Sequence, residues 1–211
     1  MATQRGAYRK SAKRREEILD AAFEVFSRQG YTAASVNEIA RTVGMTQPGL
    51  LHHFGSKLAM LEAVLQRRDR IALDILSGRH EVEFLRGLLE IARRNKDVPG
   101  LLRLYAILAA ESSAPDHPAH AYVTRRFDLV VSGTTRAFEE IRDRGLLREG
   151  VDPRTAALET TAMAEGMQLL WLQGVDLDME AIIRGHFDGY LTAPLDTLAP
   201  TAVDRASSPL T

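Results

Sequence analysis

The sequence predicts an all-α protein: an N-terminal three-helix helix-turn-helix domain followed by an antiparallel helical body, about nine helices in total. Three observations carry that expectation. Apolar residues recur at intervals of three and four along most of the chain, and no stretch shows the strict alternation of a half-buried strand. Glycine and proline fall between these runs, at Gly30, Gly44, Gly55, Gly78, Pro99-Gly100, Pro115 to Pro118, Gly145, Asp152-Pro153 and Gly174. Residues 35–54, SVNEIARTVGMTQPGLLHHF, fold two short helical patterns around a single glycine.

The first helix is expected from Arg14 to Gln29, where Ile18, Leu19, Ala22, Phe23, Val25 and Phe26 share one face. Ser11 is a cap candidate and Gly30 a stop. Phe23, Phe26 and Tyr31 read as packing of the small domain. In the second helix Val36, Ile39, Ala40 and Val43 form an apolar stripe, leaving Asn37, Glu38, Arg41 and Thr42 to solvent. Gly44 can take the left-handed conformation that closes a helix without a Cβ penalty. Thr46 is placed to cap the third helix, with Gln47 and Pro48 in its first turn and Leu50 and Phe54 buried beneath it. The small side chain of Ala40, four residues before Gly44, lets the two helices cross closely. Ser56 should cap a long fourth helix over residues 57–77. Five further helices are expected near 80–96, 98–113, 118–144, 153–173 and 177–192, with Asp97 and Asp152 as N-caps.

Composition narrows the functional classes. The absence of cysteine excludes disulfides, thiol catalysis and thiolate metal sites, and suits a reducing cytoplasm. No apolar run approaches the length of a membrane span, and the basic N-terminus leads into an amphipathic pattern, not a signal-peptide core. Net charge is only −1, but residues 1–60 carry nine Lys or Arg against five Asp or Glu, and the remainder 18 against 23. Residues 1–13 read as a flexible basic arm, suited to phosphates or a minor groove, or simply to solubility. Residues 193–211 are rich in Ala, Pro, Thr, Ser and Asp and are expected to be a flexible tail. Between them lie the expected DNA-binding domain, 14–56, and the helical body, 57–192.

Residues 14–65 resemble the tetracycline-repressor (TetR) family of bacterial transcription regulators. The resemblance rests on Phe26-Ser27-Arg28-Gln29-Gly30-Tyr31, Ser35-Val36-Asn37-Glu38-Ile39-Ala40, Gly44-Met45-Thr46 and His52-His53-Phe54-Gly55-Ser56-Lys57. Leu51 departs from it, since the family usually has a tyrosine there, and one phosphate-contacting hydroxyl is lost. The resemblance implies a homodimer whose third helices enter successive major grooves of a palindromic double-stranded operator. The expected DNA-binding set is Ser35, Thr42, Thr46, Gln47, Pro48, Gly49, Leu51, His52, His53 and Lys57. Gln47 is the base reader in this set, because its amide can pair bidentately with adenine N6 and N7. Lys57, His52 and His53 are assigned to phosphates, and Pro48 and Gly49 leave the helix surface flat.

For the body, the resemblance implies a small-molecule effector and a dimer interface made by the last two helices. Leu89, Tyr105, Leu108, Phe127, Met163, Met167 and Trp171 are candidate pocket residues, although a stripe at helical spacing is equally explained as core. Thr161, Ala164, Gln168, Ile183 and Phe187 are candidate dimer residues. His117 and His120 lack further ligands nearby in sequence and read as a solvated helix start, not a metal site. No cofactor, metal or catalytic motif is expected: phosphate loop, nucleophile elbow, HExxH and dinucleotide fingerprint are all missing. The functional expectation is a ligand-released repressor. An activator or ligand-independent regulator is the alternative, and a helical enzyme or carrier the one outside this class.

Overall fold

The computed structural model describes residues 2–200, with side chains from Ser11 onward. Among these residues lie nine α-helices: α1 (Ala2–Gln29), α2 (Val36–Thr42), α3 (Gln47–Phe54), α4 (Lys57–Leu76), α5 (Glu81–Lys96), α6 (Pro99–Glu111), α7 (His120–Asp143), α8 (Pro153–Leu172) and α9 (Met179–Tyr190). Contacts divide the chain into two compact units. The first comprises the chain up to Arg70 together with Arg103–Val123, and the second Ile71–Leu102 together with the chain from Thr124 onward. The body expected as one domain from residue 57 therefore lends α6's later turns to the N-terminal unit.

The first unit is built on α1, whose residues Ile18, Ala22, Val25 and Phe26 are almost wholly buried at the spacing of one helical face. Ile39 and Ala40 of α2, Leu50 and Phe54 of α3, and Met60, Leu61, Val64 and Leu65 of α4 complete the buried set. Two expectations fail on α1. The run read as a flexible arm is helical from Ala2, and Ser11 lies inside that helix instead of capping it. Helical pattern and a string of basic residues are compatible, because Lys and Arg are good helix formers.

Between α2 and α3 the chain turns as the glycine predicts. Gly44 has φ +64, its N–H donates to Arg41 O at 3.1 Å, and the Met45 N–H donates to Ala40 O at 2.8 Å. These two bonds are the Schellman pair that closes a helix through a left-handed residue. The helices α7 and α8 end in the same way at Gly145 and Gly174. On the N-terminal side, Ser35, Thr46, Ser56 and Asp152 each accept a backbone N–H three residues on, satisfying one of the donors a helix start leaves open. Asp97 does not cap α6. It closes α5, donating its N–H to Arg94 O, and α6 starts only at Pro99.

The second unit has its own core, centred on Val82, Leu85, Leu102, Phe138, Ile141, Phe187 and Leu191. The Phe138 ring meets Phe187 and Tyr190 edge-on, at centroid distances of 6.3 and 5.6 Å. The segment expected as a flexible tail is fixed over 193–200: Leu195 is fully buried, and Arg86 donates to the carbonyls of Leu195 and Leu198 at 2.6 and 2.7 Å. One buried leucine and two guanidinium bonds order a segment whose composition argues for disorder. The rest of that expected tail, 201–211, lies outside the described residues. No helix among the described residues is long and apolar enough to cross a membrane.

His186 gives this unit a pH dependence. Its ring packs edge-on to Tyr190 at 4.7 Å, and Nε2 lies 3.1 Å from Thr160 Oγ1. Burial lowers its pKa below the usual 6.5, against the opposing pull of Glu159. A histidine held neutral in the fold and free to charge when unfolded stabilises fully above the unfolded pKa and loses that contribution as pH falls through it. The thermal midpoint should therefore hold at neutral pH and drop below about pH 6.5, more steeply than in His186→Gln. Superimposable midpoint profiles for the two proteins would refute this.

Candidate nucleic-acid interface and internal cavity

The helix-turn-helix presents its outer face through α3, whose Leu50 and Phe54 are buried while Thr46, Gln47, Pro48 and His52 are exposed. Leu51, His53 and Gly49 are half-buried beside them. Thr46 Oγ1 accepts the Gly49 N–H at 3.3 Å, and Ser35 Oγ accepts the Glu38 N–H at 3.4 Å. Accepting these bonds leaves both hydroxyl protons free to donate to a phosphate. Thr42 differs, since its hydroxyl proton is already given to Glu38 O at 3.0 Å. Gly49 also leaves room for its cap, because a Cβ there would stand 3.2 Å from Thr46 Oγ1.

Two arginines on α1 hold the helix-turn-helix from behind. Arg14 donates to Val43 O at the end of α2, and Arg15 donates to His53 O in the last turn of α3 at 3.1 Å. Both carbonyls belong to helix C-termini, where orphan acceptors and the macrodipole favour a cation. The Arg15 guanidinium also lies 4.2 Å from the centroid of the Phe54 ring. The spacing placed these residues at the start of the first helix, and the structure makes them clamps. Arg15→Ala should cost about 1 kcal/mol of stability and weaken DNA binding without altering base preference, read by urea denaturation and by competition among operator variants. Changed base preference would mean that Arg15 reads sequence itself.

Lys57 also reaches the α1–α2 turn. Its Nζ donates to Thr32 O at 3.2 Å and stands 4.6 Å from the centroid of the Tyr31 ring, and burial lowers its pKa while Glu111 acts to raise it. The bond to Thr32 O holds the α1–α2 turn with one of the ammonium's three protons and leaves the others for the expected phosphate. The same turn is gripped by Glu111, at the end of α6, whose carboxylate accepts the N–H groups of Tyr31 at 2.7 Å and Thr32 at 3.2 Å. Sequence reasoning missed Glu111 because nothing local links residues eighty apart. It also passed over Arg41, which is exposed beside Thr42 and adds positive charge to this face.

Within the second unit α4, α5, α6, α7, α8 and α9 line a cavity of about 170 Å³. Of the expected pocket residues, Phe127 and Met167 line it. Tyr105 and Leu108 lie in the first unit, where Tyr105 donates to Asp69 at 2.6 Å and Leu108 is buried. Leu89, Met163 and Trp171 belong to the packed core and not to the cavity wall, which takes the adjacent Leu88 instead. Of the expected dimer residues, Ile183 and Phe187 are 6% and 0% exposed and line the cavity together with the half-buried Thr161, Ala164 and Gln168. The apolar spacing of α9 was legible, but which partner its stripe meets was not.

The cavity is mostly apolar with a polar α8 wall. Glu165 on that wall is desolvated, which raises its pKa, and Arg126 on α7 pulls in the opposite direction. His117 and His120 are engaged locally: His117 Nδ1 accepts the Ala119 N–H at 3.2 Å, and His120 Nδ1 lies 2.7 Å from Ser112 O.

Comparison with known proteins places this arrangement. The family model for bacterial regulatory proteins of the tetR family matches residues 18–64. The HTH-type transcriptional repressor Rv1474c of Mycobacterium tuberculosis is 30% identical over 165 residues, covering 69% of this chain and 88% of that protein. The HTH-type transcriptional activator FasR of Mycolicibacterium smegmatis is 51% identical over 55 residues, 26% of this chain and 25% of its own length. Among solved structures, SmeT in complex with triclosan superposes with a TM-score of 0.74 at 21% identity, over 94% of this chain and 99% of SmeT. That likeness shows the shared fold. With its helix-turn-helix, its helical body and a repressor relative matched over 88% of that relative's length, the chain belongs to the tetracycline-repressor family of DNA-binding transcriptional regulators.

Proposed function

We propose that the protein is a homodimeric repressor that binds a palindromic operator in the cytoplasm and is released when a small molecule fills the cavity of its second unit. The observation that carries the reading is the exposed first turn of α3, with Gln47 on a helix whose other face is buried and whose end is clamped by Arg15. A rigid helix with a free, hydrogen-bonding N-terminal turn is the geometry of major-groove readout. Gln47 reads the base, Thr46 and Ser35 donate to phosphates, and His52 and Arg41 extend the same surface. The name of the Rv1474c relative favours repression, and that of FasR keeps activation as the second reading.

Dimerisation is assigned to the outward faces of α8 and α9. Leu158, Leu169 and Ile182 are 46%, 51% and 42% exposed, and a stripe of large apolar side chains at this exposure calls for a partner. Release works through α4, whose 20 residues begin beside α3 and whose Ala72 and Leu76 line the cavity. An occupant that changes the packing around those two residues tilts α4 and moves the paired recognition helices off the roughly 34–36 Å repeat of successive major grooves. The test is binding to the DNA upstream of the protein's own gene at increasing salt. Affinity in the range of about 10⁻⁸ M or tighter, falling steeply with salt, supports the reading. Equal affinity for unrelated DNA would sink it.

A further inference from the structure

The cavity in the second unit constrains what can occupy it. Its volume of about 170 Å³ is close to that of cavities that take up a single benzene ring. Phe127, Phe187, Met167 and Met179 line it, and thioether sulfur and ring edges are favourable neighbours for an aromatic guest. The polar wall is more selective. Thr161 Oγ1 donates its only proton to Ala157 O at 2.9 Å, and Thr160 donates to Ala156 O at 2.7 Å. The Thr160 oxygen is further occupied by His186 Nε2 at 3.1 Å, so the Thr161 oxygen is the hydroxyl acceptor left on this wall, and Glu165, one helical turn beyond it, adds a carboxylate.

A guest reaching Thr161 and Glu165 on this wall is held by a hydrogen bond it donates, while the Gln168 amide beside them can donate one in return. A carboxylate ligand would meet the Arg126 charge but would set its oxygens against the acceptors of Thr161 and Glu165. An ammonium would find the carboxylate, but also the fixed positive charge of Arg126 close enough to act on Glu165. A neutral donor avoids both penalties. Resting on the ligand-released reading above, we propose that the effector is a neutral monocyclic phenol, its ring among Phe127, Met167, Met179 and Phe187 and its hydroxyl donating to the Glu165 carboxyl.

The experiment uses the full-length protein at pH 7, where a phenol keeps its proton, and four probes of one size: 4-ethylphenol, ethylbenzene, 4-methylbenzylamine and 4-methylbenzoate. Titration calorimetry should rank 4-ethylphenol first, about threefold or more over ethylbenzene, as expected for one hydrogen bond. Glu165→Met should erase that preference while leaving ethylbenzene affinity within about twofold, which also shows that the variant keeps its cavity. The proposal is overturned if the amine or the benzoate binds tightest, if the preference survives in Glu165→Met, or if none of the four binds a protein that still binds its operator. Operator competition then separates the two readings. If 4-ethylphenol binds as described without weakening operator binding, the ligand class stands and release falls. If some other compound releases the operator while no phenol binds, release stands and the phenol falls.

Discussion

Replacing Gln47 by alanine is expected to lower operator affinity by about 2–6 kcal/mol, since a bidentate glutamine–adenine pair contributes about 1–3 kcal/mol and a symmetric dimer loses it twice. The loss should fall on sequence preference and not on charge. Gln47 is exposed in the first turn of α3, so truncating it removes no buried contact and should leave the melting temperature unchanged. Discrimination should vanish at one base pair in each half-site, while the slope of affinity against salt stays that of the parent protein, because no phosphate contact is removed. Quantitative binding to a panel of single-base operator variants checks both. A uniform loss across the panel with an altered salt slope would assign Gln47 to the backbone and move base reading elsewhere on α3.

The second large effect is structural. Gly30 has φ +72, and a Cβ placed on it would stand 2.5 Å from Ile107 Cγ2 and 2.6 Å from Glu111 Oε1. An L-residue in that conformation costs about 1–2 kcal/mol before any clash. The clash adds to it, because Glu111 is fixed by the two N–H groups it accepts from Tyr31 and Thr32 and cannot swing aside without releasing them. Overpacking of this kind costs about 1–3 kcal/mol, so Gly30→Ala should lose roughly 2–5 kcal/mol in all, a large share of the stability of an ordinary domain. Urea denaturation measures it directly. In the Glu111→Ala background the same substitution should cost less, since part of the obstruction is gone, and strict additivity would show that Glu111 does not restrain the turn.

These two sites differ in how far the sequence reveals them. Gln47 was legible because everything that places it is local: Gly44 ends one helix, Thr46 starts the next, and Leu50 and Phe54 set which side is buried. Helix boundaries further along were legible for the same reason, with Asp152-Pro153 starting α8 and Gly145 and Gly174 closing α7 and α8. What a side chain does once a helix meets another was not. Lys57 read only as a phosphate ligand, and its contacts with Thr32 and Tyr31 were not legible. Ile183 and Phe187 looked like a dimer stripe and are buried within one chain. Tyr105 looked like a pocket aromatic and instead hydrogen-bonds Asp69. Helical period reports that a face is apolar, and the identity of the surface it meets depends on long-range contacts that spacing does not encode.

The capping of Tyr31 and Thr32 by Glu111 has a practical corollary for protein engineering. A reader head cut at residue 70 and grafted onto a foreign sensor would leave behind Ile107 and Glu111, and with them the only acceptor described here for the Tyr31 N–H. The turn before α2 would lose its anchor, and the graft would bind DNA poorly even with every base-contacting residue intact. A working chimera should carry residues 103–123 along with the head, which makes the transferable module a discontinuous one.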